Sequence, residues 1–177
     1  MKIFKYKDVD LYEKLHKEDS GYGACSPYTG RILKLIKSTG SKNILDFGCG
    51  KGVLKQTLKG AGINIDEYDP AIEGKKDFPQ KEYDLIITTD VLEHIHKDEI
   101  VHIFSEFKSL NPKFMFHAIS TRLAAQILSD GSNAHKTVEN GLWWEDEFIS
   151  NIGGEIKLEV NPKDIKHSDI ALIYYFK

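Results

Sequence analysis

The sequence predicts an α/β domain: a three-layer fold around a mainly parallel sheet of six or seven strands, with the last strand antiparallel. Three observations predict it. Strand-sized apolar runs alternate with segments of helical spacing along the chain. The run "YDLIITTD" (83–90) is continuously apolar, as strands buried on both faces of a parallel sheet are. And "ILDFGCGKG" (44–52) places a strand directly before glycines at 48, 50 and 52, the kind of strand-to-helix turn over which such sheets hold ligands.

The elements follow in order. Residues 9–18 and 28–38 have helical spacing, the second with the stripe Ile32, Leu33, Leu35 and Ile36 ending at "STGS". Strand 43–47 leads to a helix over 51–60 carrying Val53, Leu54 and Leu58, stopped by Gly60 and Gly62. Strand 63–68 ends at Asp69-Pro70, and the polar stretch 71–82 leaves room for a turn and one edge strand near Asp77-Phe78. After strand 83–90 comes a helix holding Ile100, Val101, Ile103, Phe104, Phe107 and Leu110, then strand 113–120 and a helix over 121–129. The loop 130–141 precedes a helix beginning near "LWWEDEFI", and two strands, 154–160 and 169–177, close the chain as an antiparallel pair.

A chain of 177 residues, 41 % hydrophobic and 29 % charged, is the size and composition of one globular domain spanning 1–177. Its apolar runs fall far short of a membrane span. The charged N-terminal stretch lacks the apolar core of a signal peptide, so the expected location is the cytoplasm. Cys25 and Cys49 form no paired motif and are expected as reduced thiols. A net charge of -3 supplies no general attraction for nucleic acid or anionic membrane.

The glycine loop narrows the chemistry. A phosphate loop needs G-x-x-x-x-G-K-[ST], and a dinucleotide loop needs G-x-G-x-x-G; the spacing here is G-x-G-x-G. Asp46 at the strand's end would repel a pyrophosphate and receive a cationic or amino-bearing ligand. A helix opening at Lys51 is expected to offer free N–H groups to that ligand. A structural glycine turn without a ligand is the alternative.

The string "ILDFGCGKG" resembles motif I of the class I S-adenosylmethionine-dependent methyltransferases. "YDPA" (68–71) and "YDLIITTDVLEHI" (83–95) resemble that family's second and fourth strands, in the same order. The resemblance covers residues 30–177 and implies a Rossmann-like methyltransferase fold with S-adenosyl-L-methionine as cofactor. It implies Asp46, Gly48, Cys49 and Gly50 at the cofactor's amino-acid end, with Asp90 beside its ammonium and sulfonium. Asp69 and Pro70 would stand at the ribose, Asp77 and Phe78 at the adenine edge, and Tyr22 and Tyr28 over the methionine end from an N-terminal helical cap (1–40), the alternative for that segment being a plain helix start capped by Thr29 or Ser26. The stretch between Asp69 and Tyr83 is shorter than the family's, which bears directly on Asp77 and Phe78.

The acceptor is addressed by two clusters. In "DVLEHIH", Glu93 and His94 are candidate catalytic residues, with His96 and His117 nearby in the pattern. The resemblance implies a divalent metal as one reading, since some members with this pattern hold one with the Glu and His; the preferred alternative is that Asp90 and Glu93 form a helix capping pair and His94 is a satisfied pocket residue. In "DGSNAHKTVENGLWW" (130–144), a loop of the length of lids and binding loops and so the expected substrate loop, His135 is a candidate base, Asp130 and Asn133 candidate orienting groups, and Trp143 or Trp144 a stacking surface; the alternative is that the tryptophans are core, one of the two neighbours facing inward. The leading expectation is methyl transfer to a polar small-molecule or glycan-like acceptor. The alternatives are a metal-assisted RNA 2′-O-methyltransferase and a catalytically silent cofactor-binding module.

Overall fold

The computed structural model describes residues 5–24, 26–160 and 170–177; Cys25 and the link 161–169 lie outside the described residues. The chain forms α1 (Val9–Glu18), α2 (Thr29–Thr39), β1 (Ile44–Phe47), α3 (Val53–Gly60), β2 (Asp66–Tyr68), β3 (Leu85–Thr89), α4 (Ile100–Ser109), β4 (Phe114–Ser120), α5 (Gly141–Asn151), β5 (Glu155–Val160) and β6 (Ile170–Phe176). Two short 3₁₀ turns, Leu92–His94 and Lys97–Glu99, precede α4.

Six strands form one sheet in the order β2-β1-β3-β4-β6-β5. The first four are parallel, and β6 runs antiparallel to both β4 and β5. Alternation along the strands splits the core into two layers. On one face Leu85, Ile87 and Phe116 meet Ile32, Leu35 and Ile36 of α2 and Leu54 and Leu58 of α3. On the other, Leu45, Ile86 and Met115 meet Phe104 and Phe107 of α4 and Trp144 and Phe148 of α5. β1 connects outward to β2 while β3 lies on its other side, so strand order reverses between β1 and β3. The crevice beyond their carboxyl ends is where such sheets bind ligands.

Three expectations need correction. The edge strand near Asp77-Phe78 does not form; Phe78 is buried instead, its ring 5.4 Å from that of Tyr68. The helix over 121–129 does not form either. Leu123 and Ile127 are 66 % and 51 % exposed, and the segment is clamped by the Asn133 amide, which bonds both the N–H and the carbonyl of Ala124. The third helix begins at Val53 rather than Lys51. No helix among the described residues is long and apolar enough to cross a membrane.

Candidate active site

A cavity of about 1060 Å³ opens at the β1–β3 reversal. That is at the upper end of what a single small-ligand site occupies. Its floor is the glycine loop. Gly48 has φ 75°, and a Cβ there would lie 2.4 Å from Val91 Cγ2, so only glycine lets the loop pass under the turn after β3. Gly50 has φ 50°, and its Cβ would meet the Gly23 carbonyl at 2.7 Å. The loop N–H groups are already committed. Gly48 and Cys49 donate to the Tyr68 carbonyl (2.7 and 3.2 Å) and Lys51 to that of Gly23 (3.0 Å). The N–H of Lys51 therefore does not face a ligand, contrary to expectation. What the loop offers the cavity is a close bare backbone.

Three carboxylates line the cavity from the ends of β1, β2 and β3. Asp46 is 3 % exposed and forms no ion pair among the described residues. Burial, with Glu67 and Asp69 nearby, pushes its carboxyl up to about 7. A buried acid in that state gains from a cation entering the cavity. Asp69 accepts from Gly50 N–H at 2.8 Å and from Ala71 N–H at 2.9 Å, so it braces the glycine loop against the end of β2 beside Pro70. Asp90 takes a left-handed backbone (φ 56°), costly for a residue with a Cβ, and donates its N–H to Ala118.

The N-terminal segment closes the cavity. Tyr12 and His16 of α1, with Tyr22 and Tyr28 from the connection to α2, all line it. Tyr12 donates its hydroxyl to the Ala134 carbonyl at 2.7 Å, and Lys51 Nζ donates to Asp19 O at 2.6 Å. Sequence reasoning placed Tyr22 here but missed Tyr12 and His16. Their helical spacing reads equally well as an ordinary core stripe, and Tyr12 is indeed packed with Leu15.

His94 and His135 meet at the cavity wall, ring centroids 4.9 Å apart and nearly perpendicular. His94 Nδ1 lies 2.7 Å from the Ala134 carbonyl and His135 Nδ1 2.6 Å from the Arg122 carbonyl. A carbonyl only accepts, so each Nδ1 carries a proton and Nε2 is the ring nitrogen left without a backbone partner. Burial, with His135 alongside, holds His94 down to about 4, a neutral imidazole at pH 7. Glu93 does not line the cavity. Its carboxyl accepts from Ser120 N–H at 2.6 Å and its carbonyl from Lys136 and Thr137 N–H, which ties the 3₁₀ turn to the loop that carries His135. Burial and Asp90 hold that carboxyl well above its ordinary range. The Asp90–Glu93 capping pair does not form: the turn has no side-chain cap. Among the described residues no three His, Cys, Asp or Glu converge to hold a metal ion.

Other expected residues lie elsewhere. Asp77 and Phe78 are outside the cavity. Trp144 is fully buried in the core, and Trp143 lies under Lys97, 4.8 Å from its ring centre; neither offers a stacking surface to a ligand. Asp130 turns back on Ser132 and Asn133 on Ala124, so both shape the loop rather than face an acceptor. His117 is buried between Phe107 and Phe148 and bonded to Thr88 Oγ1, and His96 pairs with Asp8.

Known proteins resemble this arrangement. The family model described as a methyltransferase domain matches residues 22–152. The ubiquinone biosynthesis O-methyltransferase of Hydrogenovibrio crunogenus is 24 % identical, the match covering 75 % of this chain and 67 % of that protein. Among solved structures, a Burkholderia thailandensis 1,6-didemethyltoxoflavin-N1-methyltransferase with bound 1,6-didemethyltoxoflavin and S-adenosylhomocysteine superposes with a TM-score of 0.63 at 12 % identity, covering 96 % of this chain and 84 % of that one. An S-adenosylmethionine-dependent methyltransferase from Archaeoglobus fulgidus gives 0.60 at 16 % identity, covering 94 % and 99 %. At these identities the structural likeness speaks for the fold.

Proposed function

The chain belongs to the methyltransferase-domain family, as a class I S-adenosylmethionine-dependent methyltransferase, and from that premise we propose that it methylates a polar small-molecule or glycan-like acceptor beside His94 and His135. The observation that carries this reading is the histidine pair: two Nε2 atoms without a backbone partner on one cavity wall, each Nδ1 held by a backbone carbonyl. The residues present fit the cofactor. Asp46 is a buried, unpaired acid suited to its ammonium, and the loop braced by Asp69 allows close backbone approach.

When bound, S-adenosylmethionine supplies a methyl carbon on a sulfonium, and the carbon–sulfur electron pair stays with sulfur as the acceptor oxygen takes the carbon. The protein's part is alignment, exclusion of water and removal of one proton. Tyr12, His16 and Tyr22 shut the cavity from the N-terminal side. His135 Nε2 takes the hydroxyl proton, since this residue is only half-buried and can pass the proton to solvent. His94, neutral and buried, accepts a hydrogen bond that aims the hydroxyl. Glu93 is a positioning residue, holding the turn and loop in register.

The test is transfer of a labelled methyl group from S-adenosylmethionine to a panel of hydroxylated small molecules and to short RNA, with and without a chelator. Chelator-resistant transfer to small molecules that collapses in His135→Gln supports the reading. Transfer to RNA that needs magnesium replaces it with the metal-assisted alternative, and cofactor binding without any turnover replaces it with a silent module.

A further inference from the structure

Of the 24 cationic residues in the chain only two are arginines, Arg31 and Arg122. Both line the same cavity, from α2 and from the segment after β4. Among the described lysines Lys7 alone does so, and its ammonium is held by Asp98 at 2.5 Å. Arg31 is oriented by Glu159 at 2.8 Å and the Tyr174 hydroxyl at 3.3 Å. The Arg122 guanidinium has neither ion pair nor hydrogen-bond partner among the described residues, while its carbonyl fixes His135.

Charge along the cavity lining is therefore segregated by element. The acidic lining residues stand at the ends of β1, β2 and β3, the end assigned to the cationic donor under the proposed function; the two arginines come from α2 and the segment after β4. A guanidinium stays charged at any working pH and presents a planar fork that matches carboxylate or phosphate oxygens in pairs, which a lysine does not. We propose that the methyl acceptor is an acid: a hydroxylated small molecule whose carboxylate or phosphate is gripped by Arg122, with Arg31 in support, so that its hydroxyl meets His135. This deepens the methyl-transfer reading and rests on it. The His135 ring is bonded to the Arg122 main-chain carbonyl at 2.6 Å, so the anchor's backbone and the base are neighbours, and the guanidinium reaches the acceptor's anion from the same segment that holds the base.

The test uses protein loaded with S-adenosylhomocysteine and three probes: benzoate, inorganic phosphate and neutral benzamide. Saturable binding of benzoate or phosphate is expected with a dissociation constant on the order of a millimolar. Arg122→Gln should weaken it about tenfold or more. Benzamide should bind no better to wild type than to the variant. Tighter benzoate than phosphate assigns a carboxylate, and the reverse assigns a phosphate. Equal anion binding by wild type and variant, or no saturable anion binding, overturns the proposal. So does an Arg122→Gln variant that loses S-adenosylhomocysteine, because the guanidinium would then read the cofactor's own carboxylate. If wild type fails to load with S-adenosylhomocysteine, it is the methyl-transfer reading that has failed, and the acid-acceptor proposal falls with it.

Discussion

His94 and His135 stand edge to face across 4.9 Å, each with its Nδ1 held by a main-chain carbonyl of a neighbouring turn. These two contacts fix the Nδ1 of each ring and leave Nε2 as the nitrogen without a backbone partner. Replacing His135 by Gln removes the proposed base while keeping much of the volume. We expect kcat to fall about 100- to 10,000-fold with S-adenosylhomocysteine affinity unchanged. Single-turnover transfer and calorimetry on the same variant check it; an equal loss in both would make His135 a structural residue.

Asp69 spends both oxygens on backbone N–H groups, of Gly50 and Ala71. Asp69→Ala should therefore destabilise the ligand-free protein by about 1–3 kcal/mol, besides weakening the cofactor. Thermal unfolding without ligand separates the two effects. A residue that only contacted ribose would leave that transition where it is.

At Gly48 a side chain would strike Val91. Gly48→Ala should cost about 2–3 kcal/mol, part from the clash and part from the left-handed backbone. Adding Val91→Ala should return the clash portion only. A double-mutant cycle that shows no coupling between positions 48 and 91 would contradict the packing described.

The buried histidines set an acid limit. Burial holds His117 down to about 3 and His94 to about 4, against an ordinary value of 6.5. Below pH 6.5 the unfolded chain binds protons that the folded chain refuses. Their contribution is therefore present above 6.5 and is lost as pH falls from there toward the folded values. Asp46 and Glu106, both pushed up to about 7, work in the opposite direction: the folded chain keeps their protons, and stability falls as pH rises from about 4 to 7. The two effects oppose each other in that window. His117→Phe removes one histidine term, so its stability relative to wild type should rise between about pH 7 and about pH 5, by on the order of 1–3 kcal/mol. Chemical denaturation at the two pH values reads the difference; a constant gap would mean that His117 titrates alike in both states.

The parts of this molecule that the sequence made legible are those where local pattern and burial agree. "ILDFGCGKG" announces its strand and turn because Leu45 and Phe47 pack on one core layer and Ile44 on the other, and because Gly48 and Gly50 adopt the left-handed backbone. "YDLIITTD" carries the unbroken apolar run Leu85–Ile86–Ile87 because β3 is covered on both faces. Residues 121–129 carry a helix-like composition that tertiary context overrides: the amide of Asn133, nine positions on, takes both backbone groups of Ala124, and Leu128 N–H goes to Ser132. Tyr12 and His16 could not be assigned to the site because their partners, Ala134 and Tyr22, are brought in by other parts of the chain. For Trp143 and Trp144 the sequence left two readings, a stacking surface or core with one of the two neighbours turned inward; α5 turns Trp144 into the core.

The central claim is that the cavity holds S-adenosylmethionine with Asp46 facing its ammonium, and calorimetric titration of folded, ligand-free protein with S-adenosylmethionine and S-adenosylhomocysteine tests it most directly. With Asp46 pushed up to about 7, binding to wild type should release a proton at acidic pH and weaken by about tenfold for each unit below 7. Micromolar-class affinity with that dependence, flattened and weakened in Asp46→Asn, is the predicted result. No heat from protein that is demonstrably folded, or an affinity that ignores both pH and the loss of Asp46, would contradict it.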